Sequence, residues 1–241
     1  MARYFDGTGD YLYRNAAVKA AAPLTVACQY YNTNVAASVN IIGIGDNSAW
    51  SYFVLWYNTA GDTINWAASS KDNPASATTT TNISANTWHH ICGVEASSTS
   101  RAVYLDGGNK GTNATSRTPG GLDVTAIGGL ILPNTYVMPG RLAEVAVWNV
   151  ALSDSEVAQL ALGLCPLLMR PGDLLAYWPL GGIYGRHIND LVGGYHLTSV
   201  GDVAWADHPT QLWYPNSGIV VPWAAAAAPT GNRRRRLLLA G

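Results

Sequence analysis

Charged side chains are scarce in this sequence. Lys, Arg, Asp and Glu together make up 12% of the 241 residues, about half the usual share of roughly 25%. The formal net charge is −1, so no overall field draws the chain to nucleic acid or to an anionic membrane. The sequence also lacks an apolar run of about 18 residues and a basic-then-apolar leader. We therefore expect a soluble, unprocessed chain with neither a membrane nor nucleic acid as its partner.

Cysteine is equally rare, with only Cys28, Cys92 and Cys165 in the chain. An odd number argues against a complete disulfide framework, and the spacing is not that of metal ligands. Cys28 and Cys92 lie in strand-like runs, so we expect them to be small buried hydrophobes. This usage predicts a protein made in a reducing compartment.

What the sequence does contain is a series of short strand-like segments separated by turns rich in Gly, Asp, Asn and Ser. The segments are residues 2–13 (two short strands), 24–31, 39–45, 50–57, 64–67, 87–94, 101–106, 124–132 and 142–148. Residues 71–86 are polar and predict a loop or an edge strand. Strands at this spacing are typical of an all-β, two-sheet antiparallel sandwich.

One short helix is predicted late in the chain, directly after the strand at 142–148. Ser153 and Glu156 have the spacing of a capping box, in which each side chain binds a free backbone N–H. Val157, Leu160 and Ala161 form an apolar stripe at helical spacing. Gly163 then stands where a C-terminal cap is expected, and Pro166 prevents continuation.

Several motifs occur in the order seen in one known family. They are Phe5-Asp6-Gly7 followed by Asp10-Tyr11, Trp88-His89-His90, Tyr104-Leu105-Asp106-Gly107, Ile127-Gly128, residues 140–148, and residues 152–157 followed by Gly163. This pattern resembles the laminin-G-like jelly rolls of the concanavalin A-like lectin/glucanase superfamily. The resemblance covers residues 2–166 and implies a jelly-roll sandwich. It says little about function, because this fold hosts lectins, glycosidases, adhesion modules and structural proteins.

The chain changes character after Pro166, and we predict three parts. Residues 1–166 form the jelly-roll sandwich, and residues 167–215 add strands and loops to it. Residues 216–241 form an extended tail rich in Ala, Arg and Leu that is too small to bury a core alone.

The glycosidases of the superfamily that this chain resembles share a Glu-x-Asp-x-(x)-Glu strand motif. The presence or absence of this motif therefore indicates whether the chain is such an enzyme. Retaining hydrolysis needs two carboxyl groups about 5 Å apart. The chain has three glutamates, Glu95, Glu144 and Glu156, and none lies in that pattern. We therefore predict that the protein is not an enzyme.

Metal binding has weak support in the sequence, and we expect no cofactor. His89 and His90 are adjacent on a strand and point to opposite faces, so both cannot easily bind one ion. We expect one to be packed near the core and the other exposed. Some laminin-G-like folds bind calcium through loop carboxylates, and the candidates here are Asp6, Asp10, Asp46, Asp62 and Asp106. Side-chain hydrogen bonds within turns explain these aspartates equally well.

Large aromatic side chains suggest a glycan-binding surface. Trp50, Tyr52 and Trp56 occupy alternate positions of one strand, and Trp66 lies on the next. Together they could form a platform on which sugar rings stack. The alternative is that the sandwich core needs these side chains.

The C-terminal tail suggests assembly. Its basic and apolar residues are Arg233, Arg234, Arg235, Arg236, Leu237, Leu238 and Leu239. We expect neighbouring chains to hold this segment through ion pairs and apolar burial. Together with the low charge, it loosely resembles the tails of phage virion proteins that carry laminin-G-like domains.

Two functions therefore stay open from the sequence. The first is a structural protein of a phage-like virion, such as a capsid decoration or cement component. Such a protein is made in the host cytoplasm, is a homo-oligomer, and contacts a capsid-type partner. The second is a lectin-type module that binds glycans, for example for attachment to a host surface.

Overall fold

Antiparallel strands account for most of the regular structure. The computed structural model describes residues 2–33, 36–46, 48–129, 136–181 and 188–209. The strands are β1 (Ala2–Asp6), β2 (Tyr11–Arg14), β3 (Leu24–Asn32), β4 (Val39–Gly45), β5 (Tyr52–Asn58), β6 (Thr63–Ser69), β7 (Pro74–Thr78), β8 (Trp88–Ser97), β9 (Ser100–Leu105), β10 (Gly108–Asn113), β11 (Val124–Ile127), β12 (Pro139–Trp148), β13 (Leu174–Trp178), β14 (Thr198–Val200) and β15 (Ala204–Ala206). The helices are α1 (Asp154–Ala161) and a 3-10 helix at Pro166–Leu168.

The strands form two sheets. The eight-stranded sheet has the order β10-β9-β8-β3-β12-β1-β15, and β13 pairs with the end of β12 that β1 leaves free. The seven-stranded sheet has the order β14-β2-β11-β4-β5-β6-β7. Every pairing is antiparallel. The predicted all-β jelly-roll sandwich with one short α-helix is confirmed.

The core lies between the sheets and is set by the two-residue period of the strands. In β5, Phe53, Leu55 and Tyr57 share one face, and the structure buries that face in the core. The ring of Phe53 stacks on that of Trp66 from β6, with centroids 6.1 Å apart. The other face of each sheet, directed away from its partner, is called its outer face below.

Helix α1 packs on the outer face of the eight-stranded sheet. Val157 and Leu160 are buried against a cluster that includes Cys92, Tyr104 and Trp148. The apolar stripe of α1 is buried in this way, and the helix covers this cluster on the outer face.

The predicted capping box is present at the start of α1. The Ser153 side chain accepts from the Glu156 backbone N–H, and Glu156 accepts from the Ser153 backbone N–H at 2.8 Å. Arg170 donates to the Glu156 carboxylate at 2.6 Å. The hydrogen bond from Arg170 has the largest effect, and together with the hydrogen bonds from Ser153 it lowers the pKa of Glu156 to about 2. Glu156 is therefore charged at neutral pH. It links the start of α1, at Ser153, to Arg170, which follows the 3-10 helix.

Two strand predictions need correction. β5 begins at Tyr52, because Trp50 has a φ of 38° and lies in the preceding turn. β10 was not expected, since Gly108–Asn113 is polar and has no apolar alternation. It forms because it is an edge strand and needs only one partner, β9.

The polar segment 71–86 does contain an edge strand, β7. Residues 130–132 lie outside the described residues.

All three cysteines are free and buried. Cys28 lies in the core between the sheets, and Cys92 lies under α1. Both are small apolar packing residues, as predicted.

Candidate functional site

The outer face of the seven-stranded sheet has a floor of small side chains. One row across the strands consists of Ala126 in β11, Gly43 in β4, Val54 in β5 and Ala67 in β6. Val54, Ala67 and Ala126 form a separate apolar cluster on this face. Since no large side chain rises from this row, the middle of the sheet is lower than its surroundings.

Three aromatic side chains surround this floor. Tyr52 and Trp56 stand two residues to either side of Val54 in β5, so their Cα atoms are about 13 Å apart. Tyr13 of β2 pairs with Ala126 at the other end of the row. All three are partly exposed and pack against the cluster beneath them. The result is a shallow trough with aromatic walls, here called the aromatic trough.

Polar groups flank Trp56. Asn40 and Asn65 are its register partners on the two adjacent strands. The Asn65 Oδ1 atom accepts a hydrogen bond from Thr78 at 2.5 Å, whereas its Nδ2 atom has no partner among the described residues. Asn65 is only 1% exposed, so this amide group is covered in the structure and does not reach the surface of the trough.

The structure separates the four predicted aromatic residues. Tyr52 and Trp56 share the trough, but Trp66 is fully buried on the core face opposite Leu55. Its Nε1 atom donates to Glu95 at 3.0 Å. Trp50 is 37% exposed in the turn before β5. Trp66 therefore serves the core, and the sequence interpretation missed Tyr13, whose signal is the alternation of Tyr11, Leu12 and Tyr13.

The predicted calcium ligands are engaged in turns. Asp6 accepts from the Thr8 backbone at 2.7 Å, and Asp46 accepts from that of Ser48 at 2.7 Å. Asp10 accepts from the Asp6 backbone, Asp62 from the Tyr57 hydroxyl, and Asp106 from the His90 backbone. Within the described ranges, no group of three or more His, Cys, Asp or Glu residues could hold a metal ion. The hydrogen bonds of these aspartates within and between turns explain why they occur at these positions.

Both adjacent histidines are buried, so the expectation that one is exposed was wrong. His90 lies on the outer face of the eight-stranded sheet, and burial lowers its pKa to about 4. His89 lies 2.7 Å from Asp106 through Nδ1 and 2.9 Å from the Ser84 hydroxyl through Nε2. The same Nε2 is 3.2 Å from the Ser84 carbonyl oxygen. These contacts join the loop before β8 to the β9–β10 turn, and we interpret them as a structural clamp.

Each glutamate has a structural role in the described part of the chain. Glu95 forms a buried ion pair with Arg101, and Glu156 caps α1. Glu144 lies at a bulge in β12 with a φ of 56°, accepts from the Tyr177 hydroxyl, and is 2.7 Å from His208. The carboxyl groups thus stand at three different places in the fold.

The predicted assembly residues 233–239 lie outside the described residues. Within the part of the chain that is described, no helix is long and apolar enough to cross a membrane.

A lectin-type jelly roll is the class that these features define. It consists of two packed antiparallel sheets, one short helix on one outer face, and an aromatic-lined trough on the other. A family model described as the concanavalin A-like lectin/glucanases superfamily matches residues 6–158. The chain belongs to this superfamily, as its motifs indicate.

Solved structures share the fold at low sequence identity. A candidate carbohydrate binding protein from Bacteroides ovatus is 19% identical, with a TM-score of 0.58 over 83% of this chain and 58% of that one. The heptameric SAP-like pentraxin of Limulus polyphemus is 18% identical, with a TM-score of 0.55 over 66% and 81%. The CBM40 of the Ruminococcus gnavus IT-sialidase is 16% identical, with a TM-score of 0.55 over 67% and 97%. The search of curated proteins found no match.

Proposed function

We propose that this protein is a non-enzymatic carbohydrate-binding module whose ligand lies in the aromatic trough. The observation that carries the proposal is the arrangement of Tyr13, Tyr52 and Trp56 around a floor of small side chains. Binding sites for small ligands combine aromatic walls with a few polar groups in this way. The C–H groups on one face of a sugar ring pack on an indole or phenol ring.

The shared fold supports this ligand class without naming a sugar. Related folds include a candidate carbohydrate binding protein and a sialidase CBM40. The structural roles of Glu95, Glu144 and Glu156 support the non-enzymatic part of the proposal, because none of them is left as a spare acid or base.

Replacing Trp56 with alanine is expected to weaken glycan binding at least about tenfold, since a central aromatic contact often contributes 2 kcal/mol or more. A glycan array first identifies a ligand, and isothermal titration calorimetry then measures its Kd. Trp205→Ala is the matched control, because Trp205 is 43% exposed and lies on β15 of the other sheet. Wild-type protein that binds no glycan on the array, or a Trp56→Ala variant with unchanged affinity, would contradict the proposal.

The tail favours a second candidate, a structural subunit of a phage-like virion. This hypothesis rests on the sequence of residues 233–239 alone. If the tail clamps a neighbouring copy, replacing Arg233 to Arg236 with alanine is expected to convert an oligomer to a monomer. Analytical ultracentrifugation of both full-length chains measures this. Identical sedimentation of the two chains would contradict the clamp.

A further inference from the structure

The outer face of the eight-stranded sheet carries a second row of aromatic side chains, outside the cluster that α1 covers. Tyr4 of β1 pairs with Arg141 of β12, Arg141 with Tyr31 of β3, and Tyr31 with Trp88 of β8. The core residues Phe5, Leu142 and Tyr30 alternate with them, which places the whole row on the outer face. Four adjacent strands therefore present one continuous line of side chains, about 14 Å long. It is called the cross-strand row below.

Three side chains of this row, Arg141, Tyr31 and Trp88, are in contact with one another. Arg141 Cζ lies 4.6 Å from the centroid of the Tyr31 ring. The rings of Tyr31 and Trp88 meet edge to face, with centroids 5.5 Å apart. Tyr4 is 38% exposed, and the Arg141 side chain is 31% exposed. The row is thus held together by its own contacts while parts of it stay accessible.

Arg141 has spare hydrogen-bonding capacity. Among the described residues its nearest acidic partner is Asp207, 3.9 Å away, whose side chain is 99% exposed. An ion pair at this distance, with one partner fully exposed, contributes little to the stability of the fold. A guanidinium group has five N–H donors, and the exposed part of the Arg141 side chain can present donors to a ligand.

A small recess adjoins the row. It is lined by Gln29 and His90, the next outer-face pair along β3 and β8, and by Glu144 and residues that follow α1. Its volume is about 10 Å³, close to the space of one water-sized group. His90 is 5% exposed, and its Nδ1 atom has no partner among the described residues. Because buried polar atoms are normally hydrogen-bonded, we expect a ligand hydroxyl or a bridging water in the recess to bind this Nδ1 atom.

We propose that the cross-strand row is a second glycan-binding site, which takes a hydroxyl-rich oligosaccharide laid across β1, β12, β3 and β8. The rings of Tyr4, Tyr31 and Trp88 supply stacking surfaces, and Arg141 donates to sugar hydroxyls. The Asp207 carboxylate, 3.9 Å from Arg141, adds a negative charge beside the row, which disfavours an acidic sugar and favours a neutral one. The inference takes its ligand class from the proposed function, but the two sites lie on opposite sheets.

Binding stoichiometry tests the second site. Full-length protein is titrated calorimetrically with the neutral oligosaccharide that binds best on the array. Two sugars per chain are expected for the wild type, and one for Trp56→Ala. Arg141→Met and Trp88→Ala are each expected to weaken the second site at least about tenfold while leaving the first unchanged. Lys110→Met is the control, because Lys110 is an exposed cation at the edge of the same sheet.

The outcomes separate the two proposals. A single site that Trp56→Ala removes overturns the second site and leaves the aromatic trough intact. A single site that Arg141→Met removes and Trp56→Ala leaves unchanged supports the row and overturns the trough. Unchanged stoichiometry and affinity in both Arg141→Met and Trp88→Ala, with melting temperatures near that of the wild type, overturn the row. If the row is instead covered by a second copy, sedimentation shows a dimer that Trp88→Ala dissociates, and the proposal fails.

Discussion

Replacing Arg101 with methionine is expected to lower the free energy of unfolding by about 3–5 kcal/mol, the usual cost of leaving one member of a buried ion pair alone. Arg101 binds Glu95 through two parallel contacts, Nη2 to Oε1 at 2.9 Å and Nε to Oε2 at 3.1 Å. Both side chains are fully buried. In the variant, the carboxylate keeps Trp66 as a donor but loses its counter-charge.

The pH dependence of this effect follows from Glu95. Burial raises the pKa of Glu95, and the hydrogen bonds from Arg101 and Trp66 oppose that shift. Without Arg101 the pKa rises further, so the folded variant gains stability relative to the unfolded chain as the carboxyl takes up a proton. The difference between wild type and variant is therefore expected to narrow as the pH falls from neutral toward the ordinary carboxyl range.

Urea unfolding measures this prediction. Arg170→Met is the matched control, because Arg170 pairs with Glu156 at the surface, with 46% of its side chain exposed. That pair is expected to contribute at most about 1 kcal/mol. A loss of less than about 1 kcal/mol in Arg101→Met would show that the buried pair does not stabilise the fold as described.

Replacing Gly111 with alanine is expected to lower the free energy of unfolding by about 3 kcal/mol or more. This is the upper end of the range for an added methyl group in a packed site. A Cβ atom at this position would lie 1.7 Å from the backbone oxygen of Thr78. Gly111 belongs to β10 and Thr78 to β7, which are the edge strands of the two different sheets. Because backbone cannot rotate away as a side chain can, the methyl group must push the two sheets apart at this edge.

Gly108→Ala is the control for this substitution. Gly108 begins the same strand, and no atom lies within 4 Å of the Cβ position. Alanine there is expected to leave the stability unchanged or raise it by up to about 1 kcal/mol, because it restricts the unfolded chain. Thermal melting followed by circular dichroism compares the two variants. Equal melting temperatures would show that the β7 and β10 edges are not in close contact.

The fold class and several local features can be predicted from the amino-acid sequence. The alternation in β5 put Phe53, Leu55 and Tyr57 on one face and Tyr52, Val54 and Trp56 on the other, because side chains of a strand point alternately to its two faces. Which of the two faces is buried in the core became clear only from the structure. The capping box of Ser153 and Glu156 is equally local, since its two partners are three residues apart. The ordered motifs from Phe5 to Gly163 pointed to the superfamily, which the family model confirms.

Which aromatic residues meet depends on how the strands pair. Trp56 and Trp66 lie on paired strands with similar apolar patterns, yet the register places Trp66 opposite Leu55 in the core and Trp56 opposite Asn65 on the outer face. A shift of β6 by one residue would move Trp66 from the core to the outer face. The cross-strand row joins Tyr4 to Trp88 through Arg141, across three long-range pairings. No local pattern encodes such a row, because it exists only once the strands have paired.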